Sequence, residues 1–191
     1  MTSKAPMFSL VLVVLVACGD GGKPVASPTG NGGSAVGAVT NFFPLEEGKI
    51  YSYTTTASGE TGMLIAKVHR TDATHGELRM SNTTKRFVVT PESVALEDGR
   101  VILKAPLDVG AAWPGEHGGT TKITSVDATA KVPAGAYAGC VQTVEEGGRP
   151  PGSRYTTTYC PGIGIVLLEV AAGAEEAKVE LKSYASPVVL Q

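Results

Sequence analysis

Histidine and cysteine are scarce in this 191-residue chain, three of each, and there is a single tryptophan. That scarcity excludes much chemistry. His69 and His75 flank the loop HRTDATH rather than sharing one face, and no third ligand stands beside them, so no zinc site is expected. Glu116 and His117 are neighbours in PGEHGG, and adjacent side chains usually diverge, which argues against an acid–base pair. No GxSxG nucleophile turn and no CxxC redox motif occurs. Clustered Lys and Arg are missing too, and the net charge is −2, so neither nucleic acid nor an anionic lipid surface finds an electrostatic footprint. The expectation is a protein with no catalytic residues, no cofactor and no metal. Long apolar runs are absent as well: a spanning helix needs about 20 apolar residues, and the one greasy stretch, residues 7–17 (MFSLVLVVLVA), stops at Cys18.

What that stretch does have is order. A short basic start ending in Lys4, an apolar run and small residues follow one another as in a secretory signal, here residues 1–17. Leu15, Val16, Ala17 and Cys18 resemble the lipobox of bacterial lipoproteins, in which the chain is cut before the cysteine. The resemblance implies diacylglycerol on the Cys18 sulfur and a further acyl chain on its new amino group. Each buried methylene contributes about 0.8 kcal/mol, and two or more chains anchor stably where one does not. The plainer alternative is an ordinary secretory signal with Cys18 incidental. Gly19 rather than aspartate follows the cysteine, which favours the periplasmic face of the outer membrane over the inner membrane as the address. Residues 18–41, rich in Gly, Ser and Pro, have no period that could bury a face and read as a flexible tether reaching on the order of 25 Å.

Residues 42–186 are the size of one domain, with 187–191 as a tail. No segment carries a helical period, and alternation recurs throughout. In residues 84–104 (TKRFVVTPESVALEDGRVILK), Asp98-Gly99 predicts a two-residue type I′ hairpin. That register sets Leu96 opposite Val101 and Val94 opposite Leu103. A reversal at Pro91-Glu92 sets Val89 opposite Val94 and Phe87 opposite Leu96, placing Phe87, Val89, Val94, Leu96, Val101 and Leu103 on one buried face. Turns at 57–60 and near Ala172-Gly173 set Tyr53 against Leu64, Tyr51 against Ala66, and Leu168 against Val179. The stretch AEEAKVELK has a helix-former's composition, but Ala177, Val179 and Leu181 alternate with charged residues, and alternation outranks composition. The expected fold class is all-β: an antiparallel meander of roughly nine or ten strands, forming a curved open sheet or a partly closed barrel.

Cys140 and Cys160 obey the same geometry. If residues 138–146 and 154–160 form a hairpin centred on Pro150, the two cysteines face each other, as do Val144 with Thr156 and Val141 with Tyr159. A structural disulfide is expected, and lipidation of Cys18 resolves the odd count of three thiols.

Two segments repeat at a spacing of 62 residues: Pro44, Leu45, Gly48 and Tyr51, then Pro106, Leu107, Gly110 and Trp113. Each reads as a tight loop leading into a strand whose aromatic packs inward. With VPAGAYAGCVQTV (132–144) and YCPGIGIV (159–166), they resemble a broad group of bacterial lipoproteins of unassigned activity, which pair PLxxGxxW, PAGxFxxC and YAPGVGLV segments. Here Tyr51 replaces the usual tryptophan, Tyr137 a phenylalanine, and Cys160 an alanine. The resemblance implies a β-rich lipoprotein and no catalytic residue. The threonines at 54–56 and 156–158 suit either a polar binding face or an ordinary exposed sheet face. The leading expectation is a membrane-anchored, non-enzymatic binding or assembly module of the cell envelope, with an envelope protein or lipid as partner. The alternatives are a carrier or sensor of a hydrophobic ligand and, last, a hydrolase.

Overall fold

The computed structural model describes residues 38–186. The expected signal peptide, the lipidation site Cys18, residues 19–37 and the tail 187–191 lie outside the described residues. One short helix, α1 (Ala38–Phe42), precedes twelve strands: β1 (Ile50–Ala57), β2 (Glu60–Arg70), β3 (His75–Arg79), β4 (Thr84–Val89), β5 (Ser93–Leu96), β6 (Val101–Lys104), β7 (Ala112–Pro114), β8 (Thr120–Val132), β9 (Gly135–Glu146), β10 (Ser153–Cys160), β11 (Gly164–Ala172) and β12 (Glu175–Ala185). The class is all-β, as the alternation requires. The strands exceed the nine or ten expected because β3 and β7, five and three residues long, are too short to declare a period.

All twelve belong to one antiparallel sheet in the order β6-β5-β4-β3-β2-β1-β12-β11-β10-β9-β8-β7. Every neighbour in the sheet is a neighbour in sequence except one pair: β1 lies beside β12, with Tyr53 opposite Leu181. The sheet curls into a nearly closed barrel in which β6 and β7 approach without a backbone ladder and leave one unsealed seam. The Trp113 indole spans it, donating from Nε1 to the Val101 carbonyl at 3.3 Å.

Most predicted registers are present. Tyr53 pairs with Leu64, Tyr51 with Ala66, Phe87 with Leu96, Val89 with Val94, and Leu168 with Val179. The β5–β6 turn differs. Gly99 has φ of 88°, Asp98 is not among the positive-φ residues, Gly99 N–H donates to Leu96 O at 2.9 Å, and Leu96 N–H to Arg100 O at 2.8 Å. That is a three-residue loop, a type I turn followed by a left-handed glycine with a bulge. The Asp98 carboxylate accepts from the Arg100 guanidinium at 2.6 and 2.8 Å, so the aspartate serves through its side chain instead. The added residue leaves Val94 opposite Leu103 but sets Ala95, not Leu96, opposite Val101. Val101 is therefore only half-buried, and Ile102 joins Leu103 in the core. The two-residue turn with both central φ positive occurs instead at Ser58-Gly59.

Of the expected tether, residues 18–41, only 38–41 are among the described residues. Residues 38–41 belong to α1, whose Val39 is fully buried and whose Asn41 carbonyl accepts from Gly162 N–H at 2.8 Å. Phe43, just beyond, sets its ring 5.2 Å from Phe87 and 6.3 Å from Tyr159. α1 and Phe43 thus stopper one end of the barrel. Glycines at 32, 33 and 37 mask the signal in sequence, and the apolar residues Val39, Phe42 and Phe43 were the clue.

Cys140 and Cys160 form the expected disulfide between β9 and β10, with Cα atoms 4.3 Å apart and both side chains fully buried. Val144 lies opposite Thr156 and Val141 opposite Tyr159, as the hairpin geometry demands. The barrel interior is packed by Phe87, Leu103, Ile123, Val166, Leu181 and their neighbours. Among the described residues, small spaces are left beside this core. One, of about 20 Å³, is lined by apolar groups around Tyr51 and Tyr53; the other, of about 30 Å³, is polar. Each has room for about one water.

Candidate functional site

A large concavity lies outside the barrel, at the end opposite α1. Across four neighbouring strands, Thr56 lies opposite Lys178, Lys178 opposite Glu169, and Glu169 opposite Thr156. Period-2 alternation puts all four on the face away from Tyr53 and Leu181, where their polar ends can reach water. With Ser58, Gly59, Arg154 and Glu176 at its margin, the row lines an open groove of about 590 Å³. Lys178 pairs with Glu180 at 2.9 Å and Arg154 with Glu146 at 3.2 Å. Ion pairs this exposed contribute little to stability, so the groups are available to a partner. The two threonine runs, 100 residues apart in sequence, thus each send one residue into the same groove. Thr158 is instead buried.

A second polar site lies within the barrel, behind the seam. Glu145 is 5 % exposed and points inward from β9. Its carboxylate accepts from His117 N–H at 2.7 Å, from Gly119 N–H at 3.0 Å and from the His117 ring at 3.0 Å. The ring lies flat on Tyr155, centroids 3.6 Å apart. Thr121, Thr143, Thr157 and Tyr159 complete the lining. Glycine is required where this loop closes: a Cβ on Gly119 would sit 2.3 Å from the Glu146 carbonyl oxygen, and one on Gly115 would overlap the Glu145 carboxylate. The arrangement folds the PGEHGG loop over the barrel mouth around one buried carboxylate. Glu116 turns away to an ion pair with Lys85, so Glu116 and His117 diverge as expected. Glu145 escaped notice in sequence, although strict alternation from Val141 and Thr143 points it inward.

The other histidines are apart from this site and from each other's partners. His69 meets Glu47 at 3.4 Å, and His75 meets Asp72 at 3.0 Å. The Thr74 backbone amide, then the His75 ring, hold the Asp72 carboxyl below the usual carboxylate range. Burial pushes the Tyr51, Tyr53 and Tyr159 hydroxyls well above the ordinary phenol value. Tyr51 donates to Ile163 O at 2.8 Å and Tyr53 to Ile165 O at 3.1 Å, so both are structural anchors. Among the described residues no group of three or more His, Cys, Asp or Glu is placed to hold a metal ion, and no helix is long and apolar enough to cross a membrane.

No protein-family profile matches the chain, and no curated protein matches it. Solved structures do. A protein from Bacteroides fragilis, named as exported and as having a YmcC-like fold, superposes with a TM-score of 0.52 at 12 % identity, over 74 % of this chain and 97 % of that one. What is shared is the fold. A protein from Parabacteroides distasonis, named as a lipoprotein, superposes with a TM-score of 0.51 at 12 % identity, over 77 % of this chain and 99 % of its own. The shared fold covers nearly the whole length of both neighbours.

Proposed function

We propose that this chain is a lipid-anchored, non-enzymatic module of the bacterial cell envelope that docks an envelope protein in the groove around Thr56, Thr156, Glu169 and Lys178. One observation carries the reading: the spaces beside the packed core around Tyr51 and around Glu145 hold about one water each, while the groove of about 590 Å³ lies outside. An acyl chain has no room in such an interior, which counts against a hydrophobic-ligand carrier. The lipobox at Leu15 to Cys18 supports the anchor. The bridged Cys140–Cys160 pair supports an oxidising compartment. The names of the two structural neighbours, exported protein and lipoprotein, point the same way.

The test is photocrosslinking in intact cells. A photoreactive residue at Thr156 is expected to capture one discrete envelope protein, whereas the same residue at exposed Arg79 on β3 is not. Equal, diffuse labelling from both positions would overturn the docking assignment. In the same cells Cys18→Ser should move the protein from the membrane to the soluble fraction, and membrane retention in that variant would overturn the anchor.

A further inference from the structure

We infer that Pro114 keeps the seam between β6 and β7 from zipping, and that this seam, latched only by side chains, opens locally as the way into the polar pocket around Glu145. The inference starts from the 62-residue repeat, which is structural as well as sequential. In the first copy Gly48 N–H donates to Val68 O, Val68 N–H to Lys49 O, and Lys49 N–H to Glu46 O. In the second, Gly110 N–H donates to Ile123 O, Ile123 N–H to Ala111 O, and Ala111 N–H to Asp108 O. Val68 and Ile123 are both fully buried, as are, nearly so, the following aromatics Tyr51 and Trp113. β1 and β7 are therefore equivalent strands, and the β1–β12 junction is the counterpart of the β7–β6 seam.

The two junctions nonetheless differ. In the first copy Ser52 follows the aromatic and lies opposite Ser183 of β12. At the matching place in the second copy stands Pro114, which has no N–H to offer β6. Proline at a sheet edge blocks pairing there. β7 accordingly ends at Pro114 after three residues, whereas β1 runs for eight.

What spans the seam is a set of side-chain latches. Trp113 donates to Val101 O, Arg100 Nη1 donates to Glu116 O at 2.9 Å, and Lys85 pairs with Glu116. The polar pocket lies directly behind them. Val101 and Ile102 of β6 form one lip, and Glu116 and His117, just past β7, form the other. Parting the two lips exposes the pocket without breaking a strand ladder. Sub-global openings of this kind are drawn from regions with few backbone hydrogen bonds.

Trp113 is the sole tryptophan and sits 5 % exposed at the seam, so its fluorescence reports on this place alone. In a urea titration of the intact domain, acrylamide access to Trp113 is expected to rise before the circular dichroism of the sheet is lost. Native-state hydrogen exchange is expected to run about tenfold or more faster at β6 amides than at the β1–β12 ladder. Pro114→Ser should slow β6 exchange and shield Trp113. Quencher access that rises only with global unfolding, or β6 amides protected as well as those of β12, would overturn the gate. A folded Pro114→Ser protein with an unchanged seam would overturn the role of Pro114. The measurements on the unaltered protein decide the gate even if that variant fails to fold.

Discussion

Individual residues here are held by what surrounds them more than by their type. Gly118 and Gly119 show this side by side. A Cβ on Gly119 would meet the Glu146 carbonyl oxygen and the Gly148 nitrogen at 2.3 and 2.7 Å, and both are backbone, unable to step aside. Gly118 has φ of 82° with nothing within 4 Å. Gly119→Ala should therefore cost about 1–3 kcal/mol through overpacking and loosen the loop around Glu145. Gly118→Ala should cost only the left-handed penalty, about 1–2 kcal/mol, both read from urea unfolding midpoints. The buried phenols make a second prediction. Tyr51, Tyr53 and Tyr159 have folded-state pKa values raised by burial, so above pH of about 10 the unfolded chain releases protons that the native state keeps. Stability is whole below that pH and falls as pH rises beyond it. A 295 nm titration should show these three of the six tyrosines ionising in one step, together with loss of the sheet's circular dichroism. That Tyr51 and Trp113 pack inward was legible from the repeated motif. That Glu145 does so was legible only from alternation, against the strong prior that charge faces water.

At the scale of elements, alternation carried the strands and turn chemistry carried less. The β4–β5 register followed from Pro91-Glu92, but Asp98-Gly99 suits either a two-residue or a three-residue turn, and only the hydrogen bonds of Leu96 distinguish them. Adding one residue to that turn exchanged Val101 for Ile102 in the core, and the bulge at Ile102 restores the register so that Leu103 stays buried opposite Val94. α1 was invisible because five residues cannot display a helical period, and its stability comes from burying Val39 and from the adjoining Phe43. The β9–β10 hairpin, by contrast, could be registered on both cysteines. Its disulfide closes a loop with a sequence separation of 20. Replacing both cysteines by serine should lower stability by about 3 kcal/mol in the chain-entropy view, with the fold retained because the ladder from Val141 to Glu146 remains. Thermal melts of the two proteins, with and without reductant, check this: the variant should be indifferent to reductant and the parent should not.

Across the whole molecule, the sequence revealed a series of hairpins but not how β1 and β12 meet. Thr56 and Thr156 were visible as candidate contact residues, yet their convergence depends on β12 lying between β1 and β11. Nothing local announces that placement, because it joins strands from opposite ends of the domain. The same placement bears on how the protein is made. Every ladder but one can form as soon as its hairpin has been synthesised. The exception is β1, whose second edge stays unpaired until β12 arrives. During biosynthesis the nascent polypeptide therefore stays threadable and dependent on being shielded from neighbours until β12 emerges, and joining the two runs of hairpins is a late, all-at-once event.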